Sequence, residues 1–290
     1  MRPVVLLLFA APAAVAVGCG LTRAGILIDD GFVDGGPDAS GDETTVLPDG
    51  APDAEGGADA GPDGPCPVGL AGPKMVPAAD FCIDSTEVTK AHYAKFLAAL
   101  GDGGLDGGVK APPECDYKKA ASDLVPGSWD PTTNPQRPVT KVDWCDAAIF
   151  CRWAKKRLCG KRGGGALSDK DLPNDATKHQ WYAACSQEGL RTWCYGANWN
   201  AKTCRSDDNG QKATDVATYP GCVGGYPGLF DMTGNVAEWI DQCTGPASND
   251  QCSIQGGDYG SNDTASQCDG VDTRDRDTVT EDWVGFRCCN

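Results

Sequence analysis

The chain has 290 residues, with 41 Asp or Glu against 25 Lys or Arg, and a formal net charge of −16. A surface so acidic offers no stripe of cations for phosphates and excludes nucleic acid as a partner. Sixteen cysteines exclude a reducing compartment, and two histidines, His92 and His179, exclude an iron site built from three imidazoles. No G-x-S-x-G run occurs, so a nucleophile elbow is absent as well.

Residues 1–18 read as an export signal. Arg2 gives a positive start, Val4 to Val17 is apolar, and the run is too short to span a bilayer. Gly18-Cys19 fits a lipoprotein cleavage site, with Cys19 the lipidated residue; Ala16 stands where Leu is more usual. The alternative is an ordinary export signal cut nearby. Residues 19–65 are expected to be lipid attachment and linker. From Asp29 to Pro65 there are nine Asp, two Glu and no Lys or Arg, with almost no large apolar side chain. Such a stretch cannot bury enough surface to offset its ordering entropy, so it reads as a disordered, self-repelling tether.

Residues 66–290 carry 30 acids and 23 Lys or Arg, a net of −7, and are long enough for one large cored domain. Thr89 caps a helix on which Tyr93, Phe96, Leu97 and Leu100 share a face. Asp143 caps a second helix running through Lys156. Thr177-x-x-Gln180 has a capping-box pattern ahead of Trp181, Ala184 and Cys185. Between these last two lies a Gly-rich stretch, Gly160 to Pro173. Three short helices among 38 Gly and 20 Pro argue against a doubly wound sheet. The cysteines read as a disulfide framework. Local closure favours Cys159–Cys185, Cys204–Cys222 and Cys243–Cys252, with Cys268 joining Cys288 or Cys289. Order alone does not fix connectivity, and if Cys19 is lipidated an odd thiol is left over.

The most unusual stretch is Gly228 to Trp239, GLFDMTGNVAEW. Asp231 and Glu238 bracket a turn at Gly234-Asn235. Two acids and turn carbonyls can converge on one hard cation, although Asp231 capping the turn with Glu238 in solvent is the plainer reading. The run resembles the D-M-x-G-N-V-x-E-W signature of the formylglycine-generating enzyme, or sulfatase-modifying factor, family. Four other stretches resemble the same family in the same order. They are Glu87-Val88-Thr89; Pro138-Val139 through Asp146-Ala147 and on to Leu158; Gln180 to Ala184; and Gly256-Gly257 with Gly285-Phe286-Arg287-Cys288. The resemblance covers roughly residues 74–289. It implies a mixed α/β, largely irregular fold, a C-type-lectin-like variant, here stapled by disulfides. It also implies a structural calcium held by Asp231, Gly234, Val236 and Glu238. A second calcium near Asp207 to Gly210, with Asp208 as a ligand, matches loosely, and a plain surface turn is the alternative.

Family members oxidise a sulfatase cysteine with copper held by two thiols in a Cys-x4-Cys spacing after a Gly-Gly-Ser. Here Asp258 follows the glycines, and the thiol positions fall on Ser261 and Ser266. Soft Cu(I) takes thiolates and not hydroxyls, so copper is not expected. The expectation is an exported, lipid-anchored domain that keeps the fold and calcium and acts as a binding or structural module. Its expected contacts are the membrane, through the anchor only, and a protein or glycan of unknown identity. Trp193, Trp199, Tyr226, Tyr259 and Trp283 are candidate surface aromatics. The alternatives are an active formylglycine-generating oxidase with a displaced thiol site, or another metal-dependent oxidase of the superfamily.

Overall fold

A computed structural model describes residues 66–101, 105, 109–207, 212–278 and 281–290. The expectations for Cys19 and Asp208 lie outside these residues. Among the described residues no helix is long and apolar enough to cross a membrane.

Two four-stranded sheets and three helices carry the domain. The first sheet has the order β1 (Met75–Ala78), β2 (Phe81–Asp84), β8 (Cys288–Cys289), β3 (Arg157–Leu158), all antiparallel. The second has the order β6 (Val271–Asp275), β5 (Gln251–Gln255), β4 (Ala237–Cys243), β7 (Val284–Phe286), with β4 and β7 parallel. The last residues of the chain thus serve both sheets: β7 closes one and β8, one residue later, sits inside the other.

Helix α1 (Lys90–Leu100) starts where its cap dictates. The Thr89 Oγ1 accepts from His92 N at 3.2 Å, and Tyr93, Phe96 and Leu100 are buried. Helix α2 (Trp144–Trp153) starts at Asp143, which accepts from Asp146 N at 2.7 Å. It ends three residues short of the expected Lys156. Beyond the helix Lys155 takes left-handed backbone, at φ 58°, and Lys156 is held in a buried pair with Asp84, 2.6 Å apart. Helix α3 (Gln180–Ser186) is capped not by Thr177 but by His179, whose Nδ1 accepts from Tyr182 N at 3.3 Å. Thr177 instead closes a turn with Asp175.

Two aromatic groups organise the interior. Tyr93, Phe96, Phe150 and Phe286 pack as one edge-to-face and stacked cluster between α1, α2 and β7. Trp144 and Trp239 lace α2 to β4 from both sides: Trp144 Nε1 donates to Ile240 O and Trp239 Nε1 to Val142 O. A second core gathers Ile83, Trp181, Leu229, Met232 and Ile240.

Among the described residues seven disulfides staple this frame. Cys204–Cys222 and Cys243–Cys252 are paired, as local closure suggests. Cys159–Cys185 is not. Cys159 bonds to Cys289, and Cys151 to Cys288, because β3 pairs with β8 and brings the chain's end against residues 151–159. Consecutive strand residues face opposite ways, so Cys288 and Cys289 take partners on opposite faces. Cys268 bonds to neither of them but to Cys185, at the end of α3. Cys66–Cys82 and Cys115–Cys145 complete the set. The bonds from Cys151, Cys159 and Cys185 close loops of 137, 130 and 83 residues. Each such closure is worth about 4–5 kcal/mol in the chain-entropy account.

Candidate metal and ligand site

The turn after Phe230 positions the acids. Asp231, Gly234 and Asn235 all take left-handed backbone, at φ 58°, 76° and 58°. At Gly234 a side chain would collide with the carbonyl of Arg205, so glycine is required by space as well as by φ. After Val236 the chain enters β4, which carries Glu238 as its second residue.

Glu238 is buried, not solvated. It faces Arg287, whose Nε lies 2.9 and 2.7 Å from the two carboxylate oxygens and whose Nη2 lies 2.7 Å from Oε1. Trp181 Nε1 donates to Glu238 Oε2 at 2.7 Å. Nη1 donates to the carbonyl of Asp84 (3.1 Å) and Nη2 also to that of Phe230 (3.0 Å). One guanidinium, on the residue between β7 and β8, thus ties β2, the turn and β4 to the chain's end.

Two further carboxyls lie in the same field. Asp231 Oδ2 accepts from Ala217 N at 2.5 Å, and Glu87 Oε1 accepts from Asn235 Nδ2 at 2.9 Å. Glu87 Oε2 is buried without a hydrogen-bond partner. Burial pushes the Asp231 carboxyl up to about 6. Burial, then the charge of Asp231, holds Glu87 well above the ordinary carboxylate range. Burial opposes the Arg287 charge, yet Glu238, Glu87 and Asp231 together keep it above its usual value. Three buried acids share one guanidinium, so ionising all three would leave negative charge in excess, in line with the raised Asp231 and Glu87 carboxyls. The donors are oxygen throughout, which suits a hard cation. Since both Glu238 oxygens already accept hydrogen bonds, such a cation would share them with Arg287 and Trp181. Sequence reasoning passed over Glu87 and gave Arg287 no role, although both stand in stretches that carry the family resemblance.

The positions expected for thiols form a loop after β5. Gly256 and Gly257 are left-handed, at φ 91° and 65°. A side chain on Gly257 would stand 2.9 Å from Ser261 Cβ and 3.0 Å from Ser266 Oγ, so the loop folds both serines onto one glycine. Ser261 Oγ accepts from Asp258 N at 2.9 Å, and Ser266 Oγ donates to Ser261 O at 3.4 Å. Ser266 is fully buried. Asp258, Ser261 and Trp283 line an open groove of about 640 Å³. Cys268, the nearest cysteine in sequence, is locked to Cys185. Of the other candidate aromatics, Trp193 is buried and packs against Trp199 with ring centroids 5.7 Å apart.

Among the described residues one set of three soft ligands exists: Cys194, Cys204 and Cys222. The Cys194 sulfur lies 3.8 and 3.9 Å from the other two. Those two are already joined as a disulfide, and burial pushes the Cys194 thiol up to about 12, so three thiolates are not on offer.

The turn, the paired Arg and Glu, and the glycine-folded loop are the parts of one known frame. The sulfatase-modifying factor enzyme 1-like domain matches residues 31–290, and the chain belongs to that family and has its mixed α/β, disulfide-stapled, C-type-lectin-like variant fold. The chain is 27% identical over 266 residues to the formylglycine-generating enzyme of Streptomyces coelicolor, covering 72% of this chain and 78% of the relative. It is also 27% identical over 168 residues to the inactive C-alpha-formylglycine-generating enzyme 2 of Mus musculus, covering 53% and 49%. Among solved structures, CarF aligns with a TM-score of 0.48 at 20% identity, over 72% of this chain and 85% of CarF. PvdO from Pseudomonas aeruginosa aligns with a TM-score of 0.47 at 18% identity, over 74% and 82%.

Proposed function

We propose that this chain is an exported, lipid-anchored sulfatase-modifying-factor-like domain that binds a ligand in the Ser261 groove and does not carry out copper-dependent oxidation. The carrying observation is the sulfur inventory of that groove. The two thiol positions, Ser261 on the groove and Ser266 buried in the same loop, are hydroxyls, and the nearest cysteine in sequence is held in a disulfide. A hydroxyl does not deprotonate to hold Cu(I) as a thiolate does. Seven disulfides support an oxidising, extracytoplasmic location, and Cys19 remains the proposed lipid attachment point. The mouse relative, described as inactive, makes a non-oxidising member of the family a reasonable precedent.

Calcium belongs to the same proposal. Asp231 and Glu238 with the carbonyls of Gly234 and Val236 would hold the ion, which would offset the Asp231 charge and fix the turn; it would supply no redox chemistry. Two titrations test the proposal. Cu(I) added to the wild type should find no stoichiometric site, whereas the double variant Ser261→Cys, Ser266→Cys should acquire one. Stoichiometric copper in the wild type would overturn the reading. Calcium chelation should lower the melting temperature of the wild type and leave that of Glu238→Gln unmoved.

A further inference from the structure

A second cleft, of about 340 Å³, is lined by Tyr259 and Asp282, the sequence neighbours of Asp258 and Trp283 in the Ser261 groove. Lys90, Arg137, Lys141 and Lys212 line it. In a domain whose net charge is −7, four cations around one small cavity are out of proportion. Among the described residues none of the four makes an ion pair with a carboxylate; the pairs that exist use other Lys and Arg.

Two acids, Asp130 and Asp282, also line the cleft, so four cations meet two carboxylates and two positive charges remain in excess. Asp130 Oδ1 accepts from Thr132 N, Thr132 Oγ1 and Thr133 N, so its carboxylate is folded back on its own turn. Asp282 accepts from the Tyr259 hydroxyl at 3.2 Å. The Arg137 Nε is buried with no hydrogen-bond partner. A buried guanidinium donor left unmade carries a desolvation cost, which an arriving acceptor would recover. The wall itself is held in costly backbone: Ser128, Asn134 and Lys141, all lining the cleft, have φ of 57°, 52° and 59°. Such conformations persist where the surroundings over-determine them, as they do at ligand clamps.

We infer that this cleft is a binding site for a tetrahedral oxyanion, the phosphate or sulfate group of a larger ligand. Arg137 offers the planar fork, and the lysines act as point charges. With Asp130 and Asp282 counted, two positive charges remain; a lone carboxylate would leave one of them unbalanced, which is why a doubly charged group is assigned. The inference stands apart from the reading of the Ser261 groove, since no residue of that groove supplies a charge here.

Calorimetric titration of the full-length protein with inorganic phosphate, inorganic sulfate and acetate, at constant ionic strength in chloride, tests it. Phosphate and sulfate should each bind saturably at one site, with acetate at least tenfold weaker. Arg137→Gln with Lys141→Gln should weaken phosphate at least tenfold. The exposed Lys212→Gln, which cannot disturb the core, should weaken it several-fold with an unchanged melting temperature, and Lys178→Gln, away from the cleft, should do nothing. Tighter phosphate than sulfate assigns a phosphate monoester as the natural group, and the reverse assigns a sulfate ester. Absence of saturable binding, or equal affinity in wild type and Lys212→Gln, would overturn the site.

Discussion

Arg287 and Glu238 face each other as a bidentate pair at 2.7–2.9 Å, both buried, 49 residues apart in sequence. Removing one side of such a pair leaves an uncompensated charge in a medium that solvates it poorly. Arg287→Met should therefore cost about 3–5 kcal/mol, more than the loss of an ordinary salt bridge. The variant also strands the carbonyls of Asp84 and Phe230. Urea denaturation of the variant checks this, and a loss below about 1 kcal/mol would show the pair to be peripheral.

Gly234 tests whether the turn tolerates any side chain. It holds φ of 76°, and its missing Cβ faces the Arg205 carbonyl. Gly234→Ala should destabilise by at least about 2 kcal/mol, through strain and displacement together. Gly69→Ala, with a similar φ of 75° but open space around it, should cost only the conformational part. Thermal melts of the two variants separate the contributions.

Both imidazoles are held neutral. Burial pushes His179, the cap of α3, down to about 4, and burial with Lys95 does the same to His92. A group depressed on folding contributes stability that is complete above its unfolded value, about 6.5, and is lost as pH falls through about 4. Proton NMR of the two rings should show no titration between pH 5.5 and 8. A midpoint near 6.5 for His179 would mean that its ring is solvated and α3 capped otherwise.

Cys194 is the one described cysteine without a disulfide partner. It is buried, and its thiol is held up to about 12 with no cation to lower it past the effect of burial. Alkylation of the native protein, mapped by mass spectrometry, should leave Cys194 unmodified, and modification should appear only after unfolding. Labelling at the rate of a free thiol would place it at the surface.

Much of this frame is legible in the amino-acid sequence. The caps at Thr89 and Asp143 and the apolar face of Tyr93, Phe96 and Leu100 are local signals, and local chemistry decides them. Cys204–Cys222 and Cys243–Cys252 are close in sequence and so are legible too. Cys159–Cys289, Cys151–Cys288 and Cys185–Cys268 are not, because they depend on long-range packing, with the last strand threading into the first sheet, which no spacing reveals. Thr177 loses the α3 cap to His179 because Asp175 competes for the Thr177 hydroxyl and amide. The acids of the turn are visible, but the guanidinium partner of Glu238 lies 49 residues on. The cationic cleft is hidden because Lys90, Arg137, Lys141 and Lys212 are scattered along the chain and only the fold gathers them.

The loop after β5 holds Ser261 and Ser266 where the family resemblance implies thiols, and the proposed non-oxidising role rests on that exchange. The most direct measurement is the mass of a Cys-x-Pro-x-Arg peptide incubated with the protein, Cu(I) and dioxygen, with the Streptomyces coelicolor relative run alongside. The peptide thiol should remain intact with this protein. Its conversion to the aldehyde at a rate matching that relative would contradict the proposed role.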